Sequence, residues 1–173
     1  MDITIRHGVP ADARLLADLA ARTFRETFAI ENRPEDMALH VGGAYGVSQQ
    51  QAELANPGIT TFLAEVDAQL TGYAQLRASA VPDCVMGATP LELWRFYVAV
   101  PWHGRGIAHA LMKSVELEAR AQKAHTLWLG VWERNERAKA FYRKCGFADV
   151  WSQVFVLGAD AQTDRIMVRS LPG

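Results

Sequence analysis

The stretch LELWRFYVAVPWHGRGIAHALM, residues 91–112, restricts the fold of this chain more than any other. Bulky apolar residues recur through its first half (Leu91, Leu93, Phe96, Val98, Val100), as in a largely buried strand. From Ile107 onward, Ile107, Ala110, Leu111, Val115 and Leu117 fall at helical spacing. Between them lie Pro101, Trp102, His103, Gly104, Arg105 and Gly106. A strand therefore enters a glycine-punctuated turn and leaves it directly as a helix. The first turn of a helix leaves N–H groups unpartnered, and the macrodipole adds roughly half a positive charge there. Glycines beside it remove the Cβ atoms that would hold a ligand off the backbone. Phosphate or pyrophosphate suits such a turn. The same two glycines would also serve a tight connection that needs them for φ alone.

Two phosphate loops are excluded. A Walker A loop requires a Gly-Lys pair that is absent here, and a dinucleotide fingerprint would need a small third residue where His109 stands. The segment His103-Gly104-Arg105-Gly106-Ile107-Ala108 instead resembles the Q/R-x-x-G-x-G/A signature of the GNAT superfamily, the acetyl-CoA-dependent N-acetyltransferases. The strand before it and the helix after it match that context. A second element, Asn135-x-x-Ala138-x-x-Phe141-Tyr142-x-x-x-Gly146-Phe147, follows at the distance the superfamily requires. His103 departs from the pattern, standing where Gln or Arg is usual.

The resemblance implies an α/β (α+β) fold in a single domain over residues 1–173. A central mixed, mostly antiparallel, seven-stranded sheet would be splayed at its middle and flanked by helices. It also implies acetyl-CoA as cosubstrate, with the pantetheine arm bonded to backbone groups of Val98 and Val100. His103, Gly104, Arg105, Gly106, Ile107, Ala108 and His109 would surround the pyrophosphate. Asn135 would cap a helix and meet the pantetheine arm, and Tyr142 would donate a proton to the leaving thiolate. A backbone N–H near Val98 would hold the oxyanion. Glu92 lies eleven residues before His103, the place of the base glutamate in the histone-acetyltransferase branch. The segments 127–147 and 155–171 look most like the polyamine (spermidine/spermine) branch. The expected acceptor is a small primary amine, with a peptide or protein amine, or a non-catalytic CoA sensor, as alternatives. A homodimer is compatible with the superfamily.

Composition narrows the partners. Eighteen basic and nineteen acidic residues nearly cancel, so no basic face argues for nucleic acid. Cys84 and Cys145 lack metal-ligand spacing, and they read as free thiols in a reducing compartment. No metal is expected. MDITIRHGVP has neither a basic region nor an apolar core of a leader, which points to a cytoplasmic protein.

The remaining elements follow from local pattern. Residues 3–7 predict a strand, and 11–28 a helix with an apolar face of Leu15, Leu16, Leu19, Phe24 and Phe28. Two short helices fill 30–58, the second opened by a capping box of Ser48 and Gln51. Residues 61–66 and 70–77 predict a hairpin, 125–131 a strand parallel to the central one, and 147–157 with 165–169 a final hairpin. Trp132 is expected close to the cleft; His40 could line the acceptor site and Lys144 could reach a cofactor phosphate, but they read first as an isolated histidine and an exposed helix lysine.

Overall fold

The computed structural model describes residues 1–172. Strand β1 (Ile3–His7) leads through a 3-10 turn opened by Pro10 into helix α1 (Ala13–Phe28). Helices α2 (Pro34–Ala44) and α3 (Val47–Ala55) follow, then strands β2 (Ile59–Val66) and β3 (Gln69–Arg77). Asp67 and Ala68 join these two strands with φ of 49° and 62°, the doubly left-handed turn that matches strand twist. Strand β4 (Pro90–Val98), helix α4 (Ile107–Ala121), strand β5 (Thr126–Trp132) and helix α5 (Glu136–Lys144) form the centre. A hairpin of β6 (Ala148–Leu157) and β7 (Asp160–Ser170) ends the fold.

The seven strands lie in the order β1-β2-β3-β4-β5-β7-β6. Every neighbouring pair is antiparallel except β4 and β5, whose connection through α4 makes them parallel. Those two strands pair only at Pro90–Glu92 with Thr126–Trp128. Beyond that point β4 continues against β3 to Val98, and β5 continues against β7 to Trp132. The sheet is therefore open at its middle, as the resemblance implied.

Each face buries its own core. Under α4 and α5 lie Leu76, Leu91, Leu93, Leu111, Val115, Leu127, Leu129 and Met167. Under α1 and α2 lie Leu16, Phe24, Phe28, Leu63, Tyr73, Trp132 and Leu157. A bulge sets which face β4 shows: Arg95 pairs with Gln75 and Leu93 with Leu76, leaving Trp94 without a partner. Leu91 and Leu93 before the bulge, and Phe96 and Val98 after it, thus pack on the same α4 side. The change of phase lets Arg95 and Tyr97 point toward α1.

Four expectations are corrected. Leu15 on α1 and Leu117 on α4 are 59% and 60% exposed, because each sits just off its helix's buried arc. Helix α3 starts at a Gly46 cap without a side-chain bond, so Ser48 lies inside the helix and no capping box forms. The last strand spans Asp160–Ser170, since cross-strand pairing with β6 extends it through polar residues that lack an apolar pattern. No helix among the described residues is long and apolar enough to cross a membrane.

Candidate active site

The turn after β4 is built for close approach to backbone. Gly104 and Gly106 have φ of 74° and 86°, a left-handed region that disfavours any Cβ. Gly106 caps α4 without a side-chain bond, and the first helical bond runs from Ala110 N–H to the Gly106 carbonyl. The N–H groups of Ile107, Ala108 and His109 therefore head the helix without intrahelical acceptors. A Cβ at Gly104 would meet no protein atom within 4 Å, so the space in front of it belongs to the groove. That groove encloses about 440 Å³ and is lined by His103, Gly104, Gly106, Ala108, His109 and Phe141, with Lys144 at its rim. Ile107 is buried and anchors the turn, while Arg105 stacks its guanidinium over Trp102 at 5.1 Å rather than lining the groove.

The open edge of β4 continues this surface. Ala99 N–H bonds to Thr71 on β3, so ladder alternation turns the peptide groups of Val98 and Phe96 toward the gap. The Val98 carbonyl already has a partner, the ring Nε2 of His103 at 2.7 Å. A carbonyl only accepts, so Nε2 carries the proton and Nδ1 is left to accept from Arg137 of α5. Val100 N–H donates to the Glu26 carboxylate of α1 at 3.1 Å. Both backbone positions expected to meet pantetheine thus hold one protein contact, and Val98 keeps its N–H directed at the gap.

Helix α5 brings the second element to the same place. Asn135 caps it, its Oδ1 accepting from Ala138 N–H at 3.1 Å. Gly146 follows the helix with φ of 88°, and Phe147 N–H closes back on the Tyr142 carbonyl. Tyr142 is 7% exposed, its ring packed against Phe96, Phe141 and Phe147. Burial, with a smaller contribution from Cys145, pushes its phenol well above the usual value, so it stays protonated.

On the other face of the opening lies a cleft of about 400 Å³, lined by α1, α2, β4, β5 and the β6–β7 hairpin. Phe96, Val98, Arg137, Ala138 and Tyr142 line both this cleft and the groove. The two cavities therefore meet at Tyr142. Phe28, Trp132 and Phe155 form an aromatic wall, and His40 stacks on Phe24 at 4.6 Å. Burial, aided by Arg95, lowers the His40 pKa and favours the neutral ring.

Glu92 faces this cleft with its Oε2 bonded to Arg77 Nε at 2.7 Å. The Trp94 ring lies between the guanidiniums of Arg77 and Arg95, at 3.6 and 3.8 Å. Arg95 is in turn held by Glu53 at 2.5 Å and Gln75 at 2.9 Å behind the wall. Asp164 of β7 also lines the cleft, beside Gly130, and desolvation raises its carboxyl to about 6.

The sequence placed the glycine turn, Asn135, Tyr142 and Glu92, and these all line the two joined cavities. It missed Glu26, Arg77, Gly130 and Asp164, which reach the site only through pairing across distant strands and helices. Arg137 had a local signal, since it lies two residues past the Asn135 cap and hence at the helix mouth.

The comparisons agree with this geometry. A model of the acetyltransferase (GNAT) family matches residues 16–147. An uncharacterized N-acetyltransferase from the pepI 3′ region of Lactobacillus delbrueckii subsp. lactis is 34% identical over 153 residues, 88% of each chain. An uncharacterized N-acetyltransferase of Mycobacterium bovis is 35% identical over 160 residues, 92% of this chain and 98% of that one. Among solved structures, the PaiA N-acetyltransferase of Thermoplasma acidophilum, in complex with coenzyme A, superposes with a TM-score of 0.80 at 22% identity, covering 99% of this chain and all of that one. The ribosomal-protein-alanine N-acetyltransferase of Brucella melitensis gives 0.76 at 25% identity over 97% and 99%. With the family model covering most of its length, the chain belongs to the acetyltransferase (GNAT) family.

Proposed function

We propose that this acetyl-CoA-dependent N-acetyltransferase acts on a small primary amine, with polyamines as the first class to test. The observation that carries this reading is the meeting of the glycine groove and the aromatic cleft at Tyr142. A cosubstrate bound in one cavity and an amine in the other would come together at that phenol. The groove fits coenzyme A: it offers free N–H groups at the head of α4, two left-handed glycines, and strand-edge peptide groups that need a partner. Acetyl-CoA supplies the acetyl group as a thioester.

The residues of the chain divide the remaining work. Val98 N–H, directed into the gap, stabilises the developing oxyanion. Tyr142 donates its proton to the departing sulfur. Gly104, Gly106, Ile107, Ala108 and His109 give backbone room and N–H groups to the pyrophosphate, with His103, Arg105 and Val100 shaping the turn. Asn135 fixes the start of α5 and so the position of Tyr142. Glu92 takes up the proton of the acceptor ammonium; with Oε2 engaged by Arg77, its Oε1 does so directly or through water. A small acceptor is favoured because Phe28, His40, Trp132 and Phe155 close the far side of the cleft.

A free-thiol assay with acetyl-CoA and polyamines, aminoglycosides, amino acids and short peptides tests the reading. Saturable turnover with a small amine supports it, whereas turnover with peptides alone would replace the acceptor class. Absence of coenzyme A binding would remove the proposal altogether.

A further inference from the structure

We propose that Asp164 is the residue that selects a doubly charged acceptor: its carboxylate, beside Gly130 in the cleft, docks an ammonium remote from the reacting amine. The inference rests on the acetyl-transfer reading above and adds its substrate selectivity.

The other charged side chains of the cleft are already engaged. Glu92 is bonded to Arg77, and Arg95 to Glu53 behind the wall. Burial favours the neutral His40 ring, and Arg137 is turned to the His103 ring at the cofactor end, where it has no carboxylate partner among the described residues. On β7 itself, the neighbouring Arg165 is bonded to Asp149 of β6. Among the described residues the Asp164 side chain makes no ion pair or hydrogen bond, and it is the carboxylate of the cleft left without a cation. An amine that enters such a cleft brings the missing positive charge with it.

Register then places this carboxylate. Asp164 pairs with Trp132 of β5 on one side and Gln153 of β6 on the other. Its side chain leans over Gly130, where a Cβ would lie 3.3 Å from Asp164 Oδ2 and 3.4 Å from Gln153 Nε2. Gly130 thus leaves a floor without a side chain, flanked by one carboxylate and one amide. That floor lies on β5 and β7, across the opening from Val98 of β4, so its occupant is not the amine under attack. Asp164 lies two strands from β4 with the opening between, so the chain that links the two nitrogens must exceed one paired-strand spacing of about 4.8 Å. Desolvation alone raises the Asp164 carboxyl to about 6, so at neutral pH it is ionised but poorly hydrated. An ammonium relieves that cost.

The test compares a series of α,ω-diamines with the matching monoamines, by calorimetry on the coenzyme A-loaded enzyme and by thiol release. The wild-type enzyme should bind the best diamine at least about tenfold more tightly than its monoamine at pH 7.5, and that preference should fall about tenfold by pH 5. Asp164→Asn should abolish the preference and leave coenzyme A affinity unchanged, Asp164→Glu should retain part of it, and Gly130→Ala should reduce it by filling the floor. Equal binding of diamines and monoamines by the wild-type enzyme, or a preference that survives Asp164→Asn, would overturn the assignment. Acetyl transfer without a diamine preference would sink only this inference. A diamine preference in binding without transfer to any amine would uphold it and sink the catalytic reading instead.

Discussion

His103 Nε2 donates to the carbonyl oxygen of Val98 at 2.7 Å. The ring standing where the family usually has Gln or Arg therefore ties the glycine turn to the edge of β4. A glutamine side-chain amide can supply the same donor, so His103→Gln should keep coenzyme A affinity within about threefold. His103→Ala leaves the carbonyl unpaired and unfixes the turn, a loss on the order of 1 kcal/mol or about fivefold in affinity. Calorimetric titration decides; equal affinity in His103→Ala would separate the ring from cofactor binding.

Tyr142 stays protonated throughout the working range because burial raises its phenol. Tyr142→Phe keeps the ring packing with Phe96 and Phe147 and removes only the acid. Turnover should drop on the order of 10²-fold with coenzyme A affinity nearly unchanged. Steady-state thiol release together with a binding titration checks both halves, and wild-type turnover would take Tyr142 out of the mechanism.

Gly106 combines a φ of 86° with a place at the head of α4. Gly106→Val adds left-handed strain of about 1–2 kcal/mol at a residue that lines the groove, its new Cβ coming 3.8 Å from Ile3 Cδ1. Coenzyme A should bind at least about tenfold more weakly, while circular dichroism shows the helices intact. Undiminished affinity would remove the phosphate role of this turn.

The ion pair between Glu53 and Arg95 is buried on both sides, at 4% and 8% exposure. Glu53→Gln would strand a guanidinium beside Trp94 and Tyr45, destabilising the fold by about 3–5 kcal/mol. Denaturant unfolding measures the difference. A loss below about 1 kcal/mol would mean that Gln75 suffices to hold Arg95.

Asp164 sets a pH dependence of stability with a definite sign. Its carboxyl is raised from 3.8 to about 6 in the folded chain. Between those values the folded protein holds a proton that the unfolded chain has released, so stability falls as pH rises through the window. The cost is complete above about pH 6 and absent below the unfolded value. Asp164→Asn should therefore stabilise the free protein by about 1–3 kcal/mol at pH 7.5 and hardly at all near pH 4. Thermal melts at the two pH values measure this, and an equal change at both would locate the effect elsewhere.

What was legible in the chain was what is local. Gly104, Gly106 and the Asn135-to-Gly146 run announce themselves because a left-handed turn, an N-cap and a C′ glycine each need a particular residue at one position. The approach of Arg77 to Glu92, of Glu26 to Val100 and of Asp164 to Gly130 depends on register between segments far apart. No periodicity encodes it. The bulge at Trp94 shows the same limit: one extra residue moves Arg95 to the acceptor face, and the alternation of β4 alone does not reveal where the phase changes. Leu15 and Leu117 suit an apolar face by residue type, but their angle around the helix turns them to solvent.

The opening between β4 and β5 has a mechanical consequence. With three residue pairs joining them, β1–β4 and β5–β7 are two half-sheets hinged at Pro90–Glu92. A chain-like cosubstrate lying in the gap acts as a suture between the halves, so its binding energy becomes rigidity. Saturation at a hundred times the dissociation constant adds about 2.7 kcal/mol to unfolding, and amide exchange should slow first at the free ends of β4 and β5.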